Sequence, residues 1–200
     1  MNRLKQLSVW LSRIRKCRGF GVQSPSAYRL IKYVINEHYP YYAYEELAVT
    51  VPDIGRTERK LCRLYFRMAN ERQAAVWLNI SENPRLMKEK AVCQYVVRGC
   101  GNTKVLCVAH GQYDGWNSSV VQIVRLVLDG SYQQSYPFII NKVGEESVLI
   151  IEGIHQHREA RKFWKEVVND VRTGVTFDLY DCGLVFFDKK RTKQHYIVNF

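Results

Sequence analysis

The sequence predicts an α/β fold in which a largely parallel sheet is flanked by helices. At 200 residues the chain is long enough for one core, because a chain of this length buries roughly 70% of the surface that its unfolded form exposes. Short apolar runs alternate with stretches of helical periodicity, as strands buried on both faces alternate with helices. Two later strand candidates, residues 183–188 and 194–200, are joined by only residues 189–193, a length that suits an antiparallel hairpin. We therefore expect a single domain, with a helical region over residues 1–70 packed on an α/β core over residues 71–200.

The N-terminal region is predicted to be mainly helical. Over residues 2–16, apolar side chains recur at spacings of three and four among Lys and Arg, which is typical of an amphipathic basic helix (Leu4, Leu7, Leu11 and Ile14). That apolar face either docks on the protein's own core or forms an interfacial or nucleic-acid-binding arm. Ser24-Pro25-Ser26 predicts the start of a helix that runs from about residue 25 to 37, and residues 56–70 predict another.

Residues 38–44, between these two helices, are rich in tyrosine and are interrupted by Pro40. A tyrosine cluster beside helices is typical of packing, whereas a row of exposed tyrosines could also stack on nucleic-acid bases. Both interpretations stay open from the sequence.

The core region is predicted to alternate between strands and helices. Apolar runs of strand length occupy residues 74–80, 104–109, 136–142 and 147–151, and residues 174–180 are a further extended segment. Helices are predicted from residues 81–84 to about 98, over residues 117–128, and after residue 155 with Phe163, Trp164, Val167 and Val168. Residues 110–115 are predicted to form a loop.

The charge of the chain is strongly basic, at +11 with an isoelectric point of about 9.4. The excess lies at the start, where eight Lys and Arg residues precede the first acidic residue, Glu37. Such a region is either a solvated basic surface or a means of attracting nucleic acid or another anionic surface. No apolar run approaches the ~20 residues that cross a bilayer, and the start lacks the pattern of an export signal. We expect a cytoplasmic protein with no transmembrane segment.

Six cysteines are widely spaced and include no C-x-x-C pair, so the sequence predicts no metal site. Most of them lie among apolar residues, which favours buried free thiols over a disulfide framework. A reducing compartment fits this pattern.

Several separated blocks resemble a bacterial family of class I S-adenosylmethionine-dependent methyltransferases. They are Gly19–Pro25, Tyr41–Glu45, Leu64–Arg67, Ser147–His155 and Val175–Tyr196. The similarity covers residues 18–70 and 147–200. It implies a Rossmann-like sheet of methyltransferase type, whose last strand runs antiparallel, and S-adenosylmethionine as the cofactor.

The middle of the chain departs from this family where the cofactor would bind. The resemblance implies an acidic residue and a glycine-rich turn after the first strand, but here that strand ends in Ser81-Glu82-Asn83-Pro84. The next strand ends at His110, where the family usually has a carboxylate. The stretch between residues 80 and 147 is also short for the full set of strands and helices. We therefore expect a shortened, degenerate centre, with Ser81, Glu82, His110 and Asp114 as the candidate cofactor contacts.

The candidate catalytic residues are Glu152 and His155. The family has a paired acidic motif followed by Ile-His, and this sequence has Glu152-Gly153-Ile154-His155. These residues follow a predicted parallel strand, where ligands dock in open α/β sheets, and they could act as a base and a hydrogen-bond donor. Alternatively, Glu152 caps a helix and His155 is simply solvated.

Three functions follow as hypotheses. The first is a non-catalytic descendant of the methyltransferases with a binding or scaffolding role. The second is an active methyltransferase with a divergent cofactor loop. The third is a nucleic-acid-binding protein that uses its basic N-terminus. The acceptor substrate or protein partner is not identified by the sequence.

Overall fold

A computed structural model describes residues 8, 9, 11–14, 16, 22–51, 54–113 and 121–200. The N-terminal helices are α1 (Pro25–Leu30), which continues as a π-helical segment (Ile31–Ile35), α2 (Tyr42–Thr50) and α3 (Arg56–Arg72). The sheet region follows in the order β1 (Val76–Ser81), α4 (Met87–Gly99), β2 (Lys104–Ala109), β3 (Ile123–Val127), α5 (Tyr132–Ile140), β4 (Val148–Glu152), α6 (Arg158–Asn169), β5 (Thr176–Asp178), β6 (Cys182–Phe186) and β7 (His195–Ile197).

The described strands form one sheet in the order β2-β1-β3-β4-β6-β5-β7. Strands β1 to β4 are mutually parallel, β6 is antiparallel to both β4 and β5, and β7 is parallel to β5. Only β6 therefore runs against the rest of the described sheet. This confirms the predicted α/β fold with a mostly parallel sheet and an antiparallel C-terminal part.

Helices cover both faces of the sheet. One apolar cluster joins α3 and α4 to inward-facing residues of one face, such as Trp77 and Ile150. The other joins α5 and α6 to residues of the opposite face, such as Leu78 and Leu149. Alternation along β1 explains this, because successive side chains of a strand point to opposite faces. The helices α1 to α3 contribute residues to the first cluster.

The structure corrects the predicted hairpin. Residues 183–188 and 194–200 are not neighbours: β7 pairs with β5, and the hairpin is formed by β5 and β6. Its turn is closed by the hydrogen bond from the Leu179 amide to the Cys182 carbonyl, at 2.9 Å. The short loop correctly predicted that these two strands run in opposite directions. It could not show that β7 would pair with β5 instead of β6.

Two further element predictions were wrong. The helix predicted over 117–128 is a strand at 123–127, where every residue is buried and β-branched side chains favour the extended backbone; residues 114–120 lie outside the described range. The strand predicted over 136–142 belongs to helix α5. Pro137 cannot donate to a sheet ladder, and Tyr132, Ile139 and Ile140 fall on one face of a helix instead.

Most of the predicted amphipathic helix over 2–16 lies outside the described residues. Residues 8, 9 and 11–13 are helical, and Leu11 and Ile14 are exposed. In the part of the chain that the structure describes, none of the helices combines the length and apolarity of a membrane span.

Candidate functional site

The parallel strands bring several predicted site residues to one edge of the sheet. Because β2 lies on one side of β1 and β3 on the other, the topology switches direction between β1 and β3. Ligands of open α/β sheets bind in the crevice outside the carboxyl ends of the strands at such a switch point. Ser81 and Glu82 lie there at the end of β1 and His110 at the end of β2, while Asp114 is outside the described residues.

Groups of the chain itself form hydrogen bonds with each other across this crevice. The Glu82 amide donates to Asp129 Oδ1 at 3.0 Å, which bridges the ends of β1 and β3. His110 Nε2 lies 2.9 Å from the same oxygen, and His110 Nδ1 lies 2.7 Å from Ser135 Oγ. The Tyr113 hydroxyl donates to Ser135 Oγ at 2.6 Å. The imidazole is 2% exposed, so these bonds hold it inside the protein.

The Ser135-His110-Asp129 row has the residue types of a hydrolytic triad but not its accessibility. Ser135 has no exposed surface, and its hydroxyl oxygen already accepts the Tyr113 hydroxyl. A nucleophilic serine must reach a substrate carbonyl. We interpret this row as a structural network that closes the crevice.

The residues at the crevice do not match the glycine-lined turn that the methyltransferase resemblance implies. The loop after β1 contains no glycine, so its backbone cannot be approached as closely as in such a turn. The nearest glycine, Gly130 after β3, has φ +50°, and a Cβ there would lie 1.6 Å from Glu82 Oε2. The Glu82 carboxylate thus already fills the space over the Gly130 backbone. At the end of β1, the buried Ser81 Oγ has no hydrogen-bond partner among the described residues.

Glu152 lies at the end of β4, as predicted, but it belongs to a buried ionic network. Arg125, in β3 and with no exposed surface, donates through Nε and Nη2 to Glu152 Oε2 at 2.8 and 2.6 Å. Its Nη1 donates to Glu89 of α4 at 2.6 Å, and the Tyr65 hydroxyl donates to Glu152 Oε2 at 2.8 Å. Lys88 also forms an ion pair with Glu152. Every oxygen of the candidate base is therefore engaged.

The network keeps the Glu152 carboxylate ionised. Burial by itself raises the pKa of Glu152, but the charges of Arg125 and Lys88 and their hydrogen bonds, with that of Tyr65, outweigh it and lower the pKa to about 2. A group with so low a pKa is a poor proton acceptor near neutral pH. Glu152 thus has the properties of a structural counter-ion.

His155 is not bonded to Glu152 but to Asp178, at the end of β5. His155 Nε2 lies 2.8 Å from Asp178 Oδ2, and its ring is stacked on that of Tyr180 with centroids 5.0 Å apart. Arg13 Nη1 donates to Asp178 Oδ1 at 2.8 Å, and the Tyr180 amide donates to the same oxygen at 2.8 Å. This cluster, which we call the Asp178 cluster (Arg13, His155, Asp178 and Tyr180), was not predicted from the sequence.

Electrostatics fix the proton on one nitrogen of His155. Burial raises the pKa of Asp178, but hydrogen bonds from His155 and Arg13 outweigh this effect and lower the pKa to about 2. An ionised carboxylate only accepts hydrogen bonds, so the 2.8 Å contact places the proton on Nε2. Arg13 Nη2 also lies 3.4 Å from Nε2, while Nδ1 makes no hydrogen bond to a described residue. Tyr180 has φ +75°, which is uncommon for a residue other than glycine and recurs at functional sites.

A separate basic cleft lies between the N-terminal helices. Its volume is about 800 Å³, and its lining includes the cationic residues Arg56, Arg59, Lys60, Arg63 and Arg67 of α3 together with Tyr39, Tyr41, Tyr44 and Phe200. Arg67 is buried and donates to the Val34 and Ile35 carbonyls at 2.5 and 3.1 Å, so it has a structural role. Arg56 and Arg63 are exposed, and burial lowers the pKa of Lys60.

The tyrosine segment divides between packing and exposure. Tyr41 and Tyr44 make edge-to-face contacts with each other and with Phe66. Tyr39 and Tyr42 are 63% and 91% exposed. The first pair packs against the core, as expected for packing, while Tyr39 lines the basic cleft and contacts Tyr41 edge to face.

Comparisons with known proteins identify the fold. No protein-family model and no curated protein sequence matches the chain. A putative caffeoyl-CoA O-methyltransferase from Staphylococcus aureus is similar in structure, with a TM-score of 0.53, 8% identity, and coverage of 91% of this chain and 98% of that one. The SAH-bound methyltransferase PaMTH1 from Podospora anserina has a TM-score of 0.51, 11% identity, and coverage of 86% and 97%. The chain has the fold of the class I S-adenosylmethionine-dependent methyltransferases, as its sequence resemblance implied.

Proposed function

We propose that this chain is a non-catalytic protein that keeps a methyltransferase-like fold as a binding module. The observation that carries the proposal is the closed crevice between β1 and β3, where Asp129 Oδ1 accepts the Glu82 amide and also contacts His110 Nε2. A ligand that entered the crevice would have to break these bonds. The buried state of Glu152 supports the same conclusion, because its carboxylate is neutralised by Arg125 and does not face an acceptor.

Calorimetric titration with S-adenosylmethionine and S-adenosylhomocysteine tests this proposal. We expect no saturable heat from the wild-type protein up to about millimolar ligand, where the binding free energy is about −4 kcal/mol. The Asp129→Asn variant, which weakens the closing bonds, is titrated beside it, and Lys162→Ala on the exposed face of α6 is the matched control. Saturable binding with one ligand per wild-type chain would overturn the proposal.

The Asp178 cluster favours a second candidate, an active methyltransferase. Its His155 is oriented by Asp178 through Nε2, and its Nδ1 makes no hydrogen bond to a described residue, which is the arrangement of a general base. This candidate assigns the proton transfer to His155, with Asp178 as the group that orients it, and leaves Glu152 as a structural residue.

Methyl transfer from radiolabelled S-adenosylmethionine to components of a cell extract distinguishes the two candidates. The active candidate requires labelled product that falls at least tenfold in His155→Gln and is unchanged in His157→Gln, a nearby exposed histidine. Absence of product with all three proteins supports the binding module.

We also propose that the module binds a single-stranded nucleic acid through the basic cleft. Arg56 and Arg63 offer exposed charges for phosphates, and Tyr39, which lines the cleft and is 63% exposed, offers a ring on which a base can stack. Such a combination of charges and rings binds the sugar-phosphate backbone and the bases of a single strand whatever its base sequence. The cleft contains the acidic residues Glu37 and Glu45 as well, so binding by charge alone is weaker than the net charge of the chain suggests.

Fluorescence polarisation with a labelled single-stranded oligonucleotide tests the cleft. The double variant Arg56→Ala/Arg63→Ala should lose two phosphate contacts, which makes the slope of log K against log salt shallower by about 1.4. The control is Lys162→Ala/Lys165→Ala on α6, on the opposite face of the sheet, which removes the same charge. Equal losses in the two double variants would mean that net charge, and not the cleft, governs binding.

A further inference from the structure

Helix α4 and the edge strand β2 bring two cysteine sulfurs together. Cys93 Sγ of α4 and Cys107 Sγ of β2 are 3.2 Å apart, and both cysteines are free thiols. A disulfide bond is about 2.05 Å long, so the sulfurs need to approach each other by only roughly 1.2 Å. The sequence carries no signature of this pair, because fourteen positions separate the two cysteines and no C-x-x-C motif marks them.

Asn79 of β1 holds a hydrogen-bond donor against both sulfurs. Its register partner in β2 is Cys107. The Trp77 indole N–H donates to Asn79 Oδ1 at 2.9 Å, and this bond fixes the amide so that Nδ2 points to Cys93 Sγ and Cys107 Sγ, at 3.7 and 3.6 Å. A donor that faces two sulfurs stabilises negative charge on one of them.

The two sulfurs have different chemical properties. The hydrogen bond from the Cys93 thiol lowers the pKa of Cys107 to about 6, with help from Asn79 and against burial, which raises it. The same contact and burial raise the pKa of Cys93. The contacts around the pair thus favour negative charge on Cys107 and the protonated form of Cys93. The thiolate is the form that reacts with oxidants.

Access from solvent completes the arrangement. Cys107 is exposed on β2, which lies at the edge of the described sheet. Cys93 is half-buried and lines a shallow cavity with Glu46, Leu47 and Arg98. A small oxidant can therefore reach Cys107 first, while Cys93 stands behind it in position to react.

We propose that Cys93 and Cys107 form a reversible disulfide in the presence of a peroxide. The Cys107 thiolate attacks one oxygen of hydrogen peroxide, the O–O bond breaks, and a sulfenic acid forms as the released hydroxide takes a proton to become water. Cys93 then attacks the sulfenic sulfur, loses its proton and expels the hydroxyl group as a second water. The two thiols are oxidised to one disulfide and the peroxide is reduced to two waters. This modification site is independent of the proposed binding function.

The disulfide would tie α4 to the edge of the sheet. It would close a loop that runs from residue 93 to 107. Closing a loop of about 15 residues gives a moderate gain in stability, because it reduces the entropy of the unfolded chain. The helix α4 also carries Glu89, which pairs with Arg125 in the sheet, so the first half of the helix would be fixed to the strands beneath it at two positions.

Peptide mapping of the full chain tests this proposal. The protein is treated with a small molar excess of hydrogen peroxide, alkylated under denaturing conditions and digested with trypsin. We expect a linked pair of peptides, residues 91–98 and 105–125, that separates on treatment with dithiothreitol. Cys100 lies between the two in the sequence and supplies an internal control, since its peptide, residues 99–104, should stay alkylated and unlinked.

Thermal unfolding provides a second measurement. The oxidised protein should melt roughly 5–10 °C above the reduced protein, and this difference should vanish in Cys93→Ser. If Cys93→Ser does not fold, the oxidised and reduced wild-type proteins still give the comparison. Oxidation of Cys107 to a sulfinic acid without a linked peptide, or linkage to Cys100 in equal yield, would overturn the proposal.

Discussion

Arg125 is a charged side chain in the middle of a central strand, and it lies between two carboxylates. Its Cζ atom is 5.4 Å from the centroid of the Tyr65 ring. Burial removes a guanidinium from water at a cost of several kcal/mol, and Glu89 and Glu152 offset this cost only because each accepts short hydrogen bonds from it. The three groups therefore stabilise the fold as a set. Removal of one leaves the others as uncompensated buried charges.

The first prediction concerns this set. Arg125→Met should lower the free energy of unfolding by roughly 3–5 kcal/mol, because it removes the charge that both buried carboxylates share and leaves Glu152 with only Lys88 as a cationic partner among the described residues. The triple variant Arg125→Met/Glu89→Gln/Glu152→Gln removes the charges together and should recover at least half of the loss. Urea denaturation followed by circular dichroism measures both variants. A loss below about 1 kcal/mol in the single variant would contradict the assigned role.

The positions of Glu152 and His155 could be predicted from the sequence, but their partners could not. Both residues follow an apolar strand, and the carboxyl end of that strand is a recognisable place for a site. Arg125 falls within a segment that the sequence favoured as a helix, so no pairing across the sheet was foreseen. Arg13 lies 165 positions from Asp178, and only the folded chain brings them together.

At the scale of elements, the close approach of α3 and α4 depends on Gly99. A Cβ at this position would lie 2.3 Å from the Phe66 carbonyl oxygen of α3 and 3.1 Å from Ala69 Cβ. The absence of a side chain at Gly99 therefore lets the end of α4 lie directly on the backbone of α3. Burial of Tyr95 and Val96 beside it depends on the same approach.

The second prediction compares two glycines at the end of α4. In isolation, alanine favours a helix over glycine by about 1 kcal/mol. Gly99→Ala should nevertheless destabilise the protein by roughly 1–3 kcal/mol, since the clash with backbone forces the helices apart. Gly101→Ala meets nothing within 4 Å and should be close to neutral. Differential scanning calorimetry on both variants measures the difference, and equal melting temperatures would rule out the proposed contact.

The type of each strand connection was more predictable than the partner of each strand. β1, β2 and β4 are apolar runs bounded by turn residues, and they appear where the sequence predicted them. β7 is only three residues long and partly exposed, so its own pattern contains little information about the strand beside it. It pairs with β5 because β6 lies between β4 and β5. This arrangement depends on contacts between strands that are distant in the sequence.

For the whole molecule, two buried carboxylates determine how stability depends on acid. Glu152 and Asp178 each have a pKa of about 2 in the folded chain, below the ordinary values of 4.5 for Glu and 3.8 for Asp. The unfolded chain therefore binds protons on these groups before the folded chain does. Their contribution to stability is fully present above about pH 4.5 and is lost as the pH falls towards 2.

The third prediction follows from this dependence. The free energy of unfolding in urea should fall steadily between pH 4.5 and 2, and the fall should be smaller in Asp178→Asn, which no longer takes up the proton. The measurement is made at constant high salt, so that repulsion within this basic chain is screened. An unchanged slope in Asp178→Asn would exclude Asp178 as a source of the acid sensitivity.

The reversed strand β6 also affects how the protein is made. While the ribosome is still extending the chain past residue 152, β1 to β4 can already pair, but β4 has an open edge until residues 182–186 emerge. The residues of this edge strand are all buried in the finished protein, and all of them except Glu152 are apolar. An unpaired apolar edge is a template for association with other chains. Slow translation between residues 152 and 186 should therefore favour capture of the nascent chain by chaperones or its aggregation.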